Sequence, residues 1–356
     1  MSDVDDGNGR KRCRGAAASS LAKRRSLLRI SVPSFSAVDN DDGDGTGAAA
    51  VSAVHPTALY DIVRELCNTE QGKILLAKRR SLGDLLVLKV VKSHLARKRR
   101  SIAGDELPDD VLSEIEVMQM LHPPGHESVI KFVEVLHSAN HIWIVMEYAP
   151  GGDLVGLMGA PLCRQRLRRY ARQLLDAVMF VHSRGVAHLD ISLENVFIGA
   201  DDVIKLGDFG VARRVRQHCG RVGKLATMAP EAFAGDETFD TFQADMWSVG
   251  VLLFSLAFGR PPFSEPSQAD RGFADVIENG FEGIARVAGV ELDQDRPLLE
   301  FLGSLLTNAG SRLSAQSARS HSWFTVQDGD DKKDADDSIV GSDSPNGDGG
   351  VERTSD

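Results

Sequence analysis

His188-Leu189-Asp190-Ile191-Ser192-Leu193-Glu194-Asn195, with Asp208-Phe209-Gly210 and Ala229-Pro230-Glu231 behind it, is the stretch around which the rest of the chain sorts itself. Just upstream, from Arg164 onward, Leu167, Tyr170, Leu174, Leu175, Val178 and Val181 keep helical period. Further back, Ala149-Pro150-Gly151-Gly152 breaks the pattern, and the chain before it changes character. The apolar runs 129–136 and 141–148 read as one hairpin. Residues 73–77 (KILLA) and 84–91 (DLLVLKVV), flanking a Ser81-Leu82-Gly83 turn, read as another. Between the hairpins, 109–121 (DDVLSEIEVMQML) sets Val111, Ile115, Met118 and Leu121 on one helical face and stops at His122-Pro123-Pro124. Acids open that segment, where the helix dipole favours them. Downstream, 246–258 and 297–306 read as apolar helices. The pattern predicts an α+β fold, a small β-rich lobe ahead of a larger helical one.

The chain has 356 residues, enough for one large domain or two modest ones. Residues 1–54 and 327–356 carry too little apolar surface to offset ordering entropy and are expected to be disordered. One domain remains over residues 55–326, with lobes at about 55–146 and 150–326. The formal charge is −10, but residues 327–356 hold ten acids against three bases. The remainder, only about −3, says little about a substrate, and no nucleic acid or membrane partner is expected. Cysteines at 13, 67, 163 and 219 show neither disulfide nor metal-ligand spacing, as a reduced compartment would leave them. Met1 begins an acidic and then basic segment with no apolar run, so a cytoplasmic location is expected. The longest apolar run, 249–258 (VGVLLFSLAF), is about half a membrane span and reads as a buried helix.

Together with Lys89 and Glu114, the three segments resemble the signature set of the eukaryotic protein kinase superfamily, serine/threonine type, over about residues 59–323. The resemblance implies a two-lobed kinase-like fold that transfers the γ-phosphate of ATP to serine or threonine of protein substrates. Carried over by position, Lys89 matches the lysine that holds the α and β phosphates, and Glu114 matches the glutamate paired with it. Asp190 matches the aspartate that orients the attacking hydroxyl and accepts its proton. Asn195 and Asp208 match the Mg2+ ligands, oxygens suited to a hard cation. Leu66, Gly72, Ile74, Val87, Glu147, Tyr148, Asp153 and Phe197 fall at the positions lining the nucleotide cleft. Arg312 is expected to pair with Glu231, and Met118, Phe132, His188 and Phe209 to stack as a column joining the lobes.

The sequence also departs from the family pattern. Cys67 and Thr69 stand where the first two glycines of the phosphate loop belong, which predicts weaker ATP binding. Val87 and Phe197 add bulk above and below the adenine slot. Leu189 replaces the arginine that receives an activation-loop phosphate in regulated relatives, and residues 208–231 offer only Thr227 as a hydroxyl. Control by loop phosphorylation is therefore not expected. Ser192 occupies the place of the catalytic-loop lysine, and Lys224 the place of a threonine that faces the same aspartate. The expectation is that ammonium and hydroxyl have changed places, so that Lys224 and Ser192 join Asp190 as catalytic groups.

Basic clusters at 10–14 and 23–25 have the layout of a bipartite nuclear-import signal and equally that of a solvated basic tail. Ser26, Ser81 and Ser101 each follow a Lys-Arg-Arg or Arg-Arg block of the kind basophilic kinases favour, although Ser81 and Ser101 also read as loop residues. Two other functions compete with an active kinase: a pseudokinase scaffold, suggested by Cys67, Thr69 and Ser192, and a kinase-like fold acting on a small molecule. For substrate choice, Glu194 and Asp153 would favour basic neighbours, whereas the arginines between 213 and 221 would favour acidic ones. Nothing in the sequence fixes an oligomeric state.

Overall fold

The computed structural model describes residues 55–293 and 295–325. The tails expected to be disordered, with the two basic clusters, Cys13 and Ser26, lie outside the described residues.

A short helix α1 (Pro56–Leu59) leads into the small lobe. There follow β1 (Tyr60–Asn68), β2 (Gly72–Arg79), β3 (Leu85–Lys92), α2 (Ser93–Lys98), α3 (Val111–Leu121), β4 (Phe132–His137) and β5 (His141–Glu147). The strands form one antiparallel sheet in the order β1-β2-β3-β5-β4. Alternation along β3 sends Leu86, Leu88 and Val90 to a core shared with Tyr60, Leu75, Trp143 and Val145. Val87, Lys89 and Val91 thereby take the opposite face. Both predicted hairpins form, with Leu75 opposite Leu88 and Ile144 opposite Val135. Strand β1 has no counterpart in the sequence reading. It is an edge strand, largely exposed, with register shifts between Ile62 and Arg64 and between Glu65 and Cys67, which erase a clean period of two.

The large lobe opens with α4 (Arg164–Ser183), then the short pairs β6 (Val196–Ile198) with β7 (Ile204–Leu206) and β8 (Gln217–Cys219) with β9 (Thr238–Asp240). Helix α5 (Pro230–Ala234) lies between β8 and β9, and α6 (Thr241–Phe258), α7 (Arg271–Ala288), α8 (Arg296–Leu305) and α9 (Ala315–Arg319) complete the lobe. Helix α6 begins five residues before the apolar run suggests, because Asp240 caps it by accepting from the Phe242 and Gln243 N–H groups. Among the described residues it is the one helix long and apolar enough to cross a membrane, yet 83% of it is buried inside the lobe. It is the apolar centre against which α4 and α8 pack.

Arg312 and Glu231 pair as expected, Nη1 to Oε1 at 2.6 Å and Nη2 to Oε2 at 3.2 Å, with Arg312 also donating to the Gln243 and Thr307 carbonyls. One apolar cluster then runs from Ile115 and Met118 of α3 through Phe209 to Trp247 and Leu252 of α6, tying the lobes together across the cleft floor.

Candidate active site

Strand and helix period deliver the first two groups. Lys89 projects from the inner face of β3, and Glu114 from the inner face of α3, whose first turn is fixed by Asp110 accepting from Ser113 N–H. Lys89 Nζ donates to Glu114 Oε1 at 2.8 Å and Oε2 at 2.7 Å, and lies 3.5 Å from Asp208 Oδ1. Burial works against the lysine charge, but the Glu114 and Asp208 carboxylates outweigh it and hold its pKa above the ordinary range. In turn the Lys89 ammonium holds Asp208 below the usual carboxylate range.

The loop after α4 is suspended from α6. The backbone N–H groups of His188 and Leu189 donate to the fully buried Asp245 carboxylate at 2.8 and 2.7 Å, and His182 Nε2 meets the same group at 2.8 Å. The His182 ring is stacked on Phe242 at 4.0 Å. His188 Nε2 lies 3.0 Å from the Gly207 carbonyl, and Asp190 N–H donates to His188 Nδ1 at 3.3 Å. Only the neutral tautomer protonated at Nε2 satisfies both contacts. The His188 ring lies 4.9 Å from that of Phe209, and Phe209 shares one buried apolar cluster with Met118, with Phe132 packed against it. Leu189 and Asp208 both take left-handed backbone, φ 61° and 62°, which costs about 1–3 kcal/mol at each and needs anchors of this kind.

Asp190 thus points into the cleft, where Asn195 Nδ2 donates to its backbone carbonyl at 2.8 Å and to its Oδ2 at 2.7 Å. Lys224 N–H donates to Asp190 Oδ1 at 3.2 Å. Lys224 Nζ donates to Asp190 Oδ2 at 2.7 Å and to Ser192 Oγ at 2.9 Å. Burial raises the Asp190 carboxyl above the ordinary range, and Lys224 pulls it back only in part. The two cleft carboxylates are therefore pushed apart, Asp190 toward accepting a proton and Asp208 toward keeping its charge.

The loop between β1 and β2 is tight. Thr69 and Gly72 exchange backbone hydrogen bonds at 2.9 and 3.4 Å, leaving Glu70 and Gln71 at the tip. Gln71 is buried and donates to the Arg100 carbonyl at 3.1 Å, while the Glu70 carbonyl accepts from Ile102 N–H at 2.7 Å. The tip is thus fastened to the segment after α2. A Cβ on Gly72 would come within 1.9 Å of the Val90 carbonyl, so glycine is required here by the approach of β2 to β3. Glu147 turns its carboxylate to Lys131 N–H at 2.7 Å and Lys205 Nζ at 3.1 Å, and its own N–H donates to the Lys131 carbonyl at 3.0 Å. Val87 faces Met146 across the sheet, and Phe197 pairs with Asp153 through an isolated bridge. Ser101 is buried, with its Oγ accepting from Asp105 N–H at 3.0 Å, so it is not presented for modification as the basic block before it suggests.

The sequence profile of the protein kinase domain matches residues 60–324, the span that carries this cleft. The chain belongs to the protein kinase family. This kinase is 33% identical over 219 residues to CBL-interacting serine/threonine-protein kinase 9 of Arabidopsis thaliana, covering 58% of this chain and 46% of that protein. To CBL-interacting protein kinase 4 of Oryza sativa subsp. japonica it is 34% identical over 283 residues, 74% of this chain and 57% of the relative. To maternal embryonic leucine zipper kinase of Danio rerio it is 32% identical over 213 residues, 58% and 30% respectively. The chain spans about half the length of the first two of these relatives. Protein kinases in general use ATP and Mg2+ and act on proteins.

In this kinase the activation segment is tied to α3 by direct protein contacts. Asp110 N–H donates to the Gly210 carbonyl at 2.8 Å. Arg213 and Arg99 both donate to the Pro108 carbonyl, at 3.2 and 3.0 Å. Leu189, at the position of the phosphate-receiving arginine, is buried in the core. Arg216 pairs with Asp240, and Arg221 donates to the Phe233 carbonyl. Asp245 and His182 are the site groups the sequence reading missed; Asp245 stands one residue before the 246–258 run that the sequence marks as an apolar helix.

Proposed function

We propose that this kinase transfers the γ-phosphate of ATP to serine or threonine hydroxyls of proteins, with Asp190 accepting the hydroxyl proton. What carries the reading is the convergence of Lys89, Glu114, Asp190, Asn195 and Asp208 in one cleft through contacts of 2.7 to 3.5 Å. The donor set fits the nucleotide and its cation. Asp208 is half exposed to the cleft with its charge secured by Lys89. Asn195 spends its Nδ2 on Asp190, which leaves its oxygen as the atom for a cation. Bound ATP would supply the phosphoryl group and Mg2+ would neutralise the charge that develops during its transfer. Asp190, raised by burial and oriented by Asn195, is placed to align the attacking hydroxyl and take its proton. A scaffold that only bound partners would need none of these contacts.

Arg213, Arg216 and Arg221 are engaged internally, which leaves the exposed Arg214 against the carboxylates of Glu194 and Asp153, and basic residues near the acceptor are the expected preference. Transfer of radiolabelled phosphate to a serine/threonine peptide library tests activity and preference together. Replacing Asp190 by Asn is expected to lower kcat by roughly 100-fold to 10,000-fold while nucleotide binding is retained. Failure of the wild-type chain to label any peptide, or undiminished turnover by Asp190→Asn, would overturn the proposal.

A further inference from the structure

Lys89 cannot serve both ends of the phosphoryl transfer, because Glu114 takes two of its contacts and Asp208 is the next group in reach. The cation at the Asp190 end is Lys224, which comes from the activation segment and not from the catalytic loop. Its placement is built from the backbone outward. Gly223 takes left-handed φ of +86°, and a Cβ there would lie 2.2 Å from the Leu189 carbonyl. That close approach, open only to glycine, brings Lys224 N–H onto Asp190 Oδ1 and starts the lysine stem at the catalytic loop. Val222 and Met228 on either side are buried, and Ser248 Oγ of α6 donates to the Thr227 carbonyl, so the turn is fastened at both ends.

An ammonium carries three N–H donors. Two are used, on Asp190 Oδ2 and Ser192 Oγ, and with the side chain 38% exposed the third is left for an incoming oxygen. Ser192 is 1% exposed, and its short side chain makes the space that the ammonium enters. A solvated surface lysine would show neither a buried hydroxyl partner nor a backbone bond to the same carboxylate.

We propose that Lys224 is a catalytic residue: it presents the positive charge to the transferring phosphoryl group, with buried Ser192 as its anchor, so that docking of the activation segment completes the site's charge. The inference rests on the kinase reading above. It makes the activation segment a supplier of catalytic charge, where phosphate-gated relatives would use it as a receiver of phosphate.

The test compares wild type with Lys224→Thr, Lys224→Arg and Lys224→Thr/Ser192→Lys in steady-state turnover. Binding of ADP and of a non-hydrolysable ATP analogue, both with Mg2+, is measured by calorimetry. Lys224→Thr is expected to lower kcat about a hundredfold with little change in peptide KM. It should weaken the ATP analogue several-fold and leave ADP unaffected, since only the analogue has the terminal phosphate. Lys224→Arg, which keeps charge on a different stem, should retain part of kcat, and the double variant should recover most of it, a strong non-additivity. Equal loss of ADP and analogue binding, an unchanged kcat, or failure of both Arg and the double variant to restore turnover would overturn the proposal. An inactive wild type would instead sink the kinase reading itself.

Discussion

Removing the Asp245 carboxylate is the perturbation whose size the structure lets us work out best. The group is fully buried and accepts from two backbone N–H groups, those of His188 and Leu189, as well as meeting His182. Each buried N–H left without an acceptor costs about 1–3 kcal/mol. Asp245→Ala strands two of them, for about 2–6 kcal/mol. Asp245→Asn keeps one oxygen but turns an amide N–H₂ toward the second donor, so about 1–3 kcal/mol is expected. His182 can change tautomer and accept from that amide, which spares its own contribution. A domain of this size moves by about 2–4 °C in Tm per kcal/mol. The alanine variant is therefore expected roughly 10 °C below wild type, with the asparagine variant about half as far. The loop also carries Asp190, and a displacement near 1 Å can cost about 100-fold in rate. kcat is thus expected to fall at least tenfold in Asp245→Asn while Kd for ADP, set mainly by the other side of the cleft, holds. Differential scanning calorimetry with steady-state kinetics on the same preparations reads both. An asparagine variant that melts with wild type and keeps its kcat would refute the claim that this carboxylate suspends the loop.

Three further outcomes are expected. Phosphatase treatment, or Thr227→Ala, should leave turnover unchanged, since Leu189 is buried and apolar and the bonds from Asp110 and Arg213 hold the segment to α3; activity that disappears on dephosphorylation would contradict this. Arg312→Ala leaves Glu231 uncompensated and should cost about 3–5 kcal/mol, a fall in Tm of about 10 °C or more, measurable by thermal unfolding. Gln71→Ala releases the loop tip from the Arg100 carbonyl and should raise the Kd for ATP analogues several-fold, with kcat at saturation little changed; tighter nucleotide binding would show that the anchor hinders the ligand.

Much of this site was legible because its parts are local. The interval from Asp190 to Asn195, the Asp208-Phe209-Gly210 turn and the period that puts Glu114 on the inner face of α3 are short-range patterns, and chain order alone places them in one family. The exchange of Ser192 and Lys224 could also be framed in advance, since each departs from a recognisable position. The structure alone decided the contacts that join distant segments. Asp245 reaches the catalytic loop across more than 50 residues, Gln71 meets Arg100, and Arg213 meets Pro108, each through a backbone group that has no residue-type signature. The same holds for Ser101, where a basic block suggests an exposed modification site and a local turn buries the hydroxyl. Side-chain period reports which face of an element is apolar. It carries no record of which carbonyl or amide another segment will bring to that face, because that is settled by packing once the whole chain is in place.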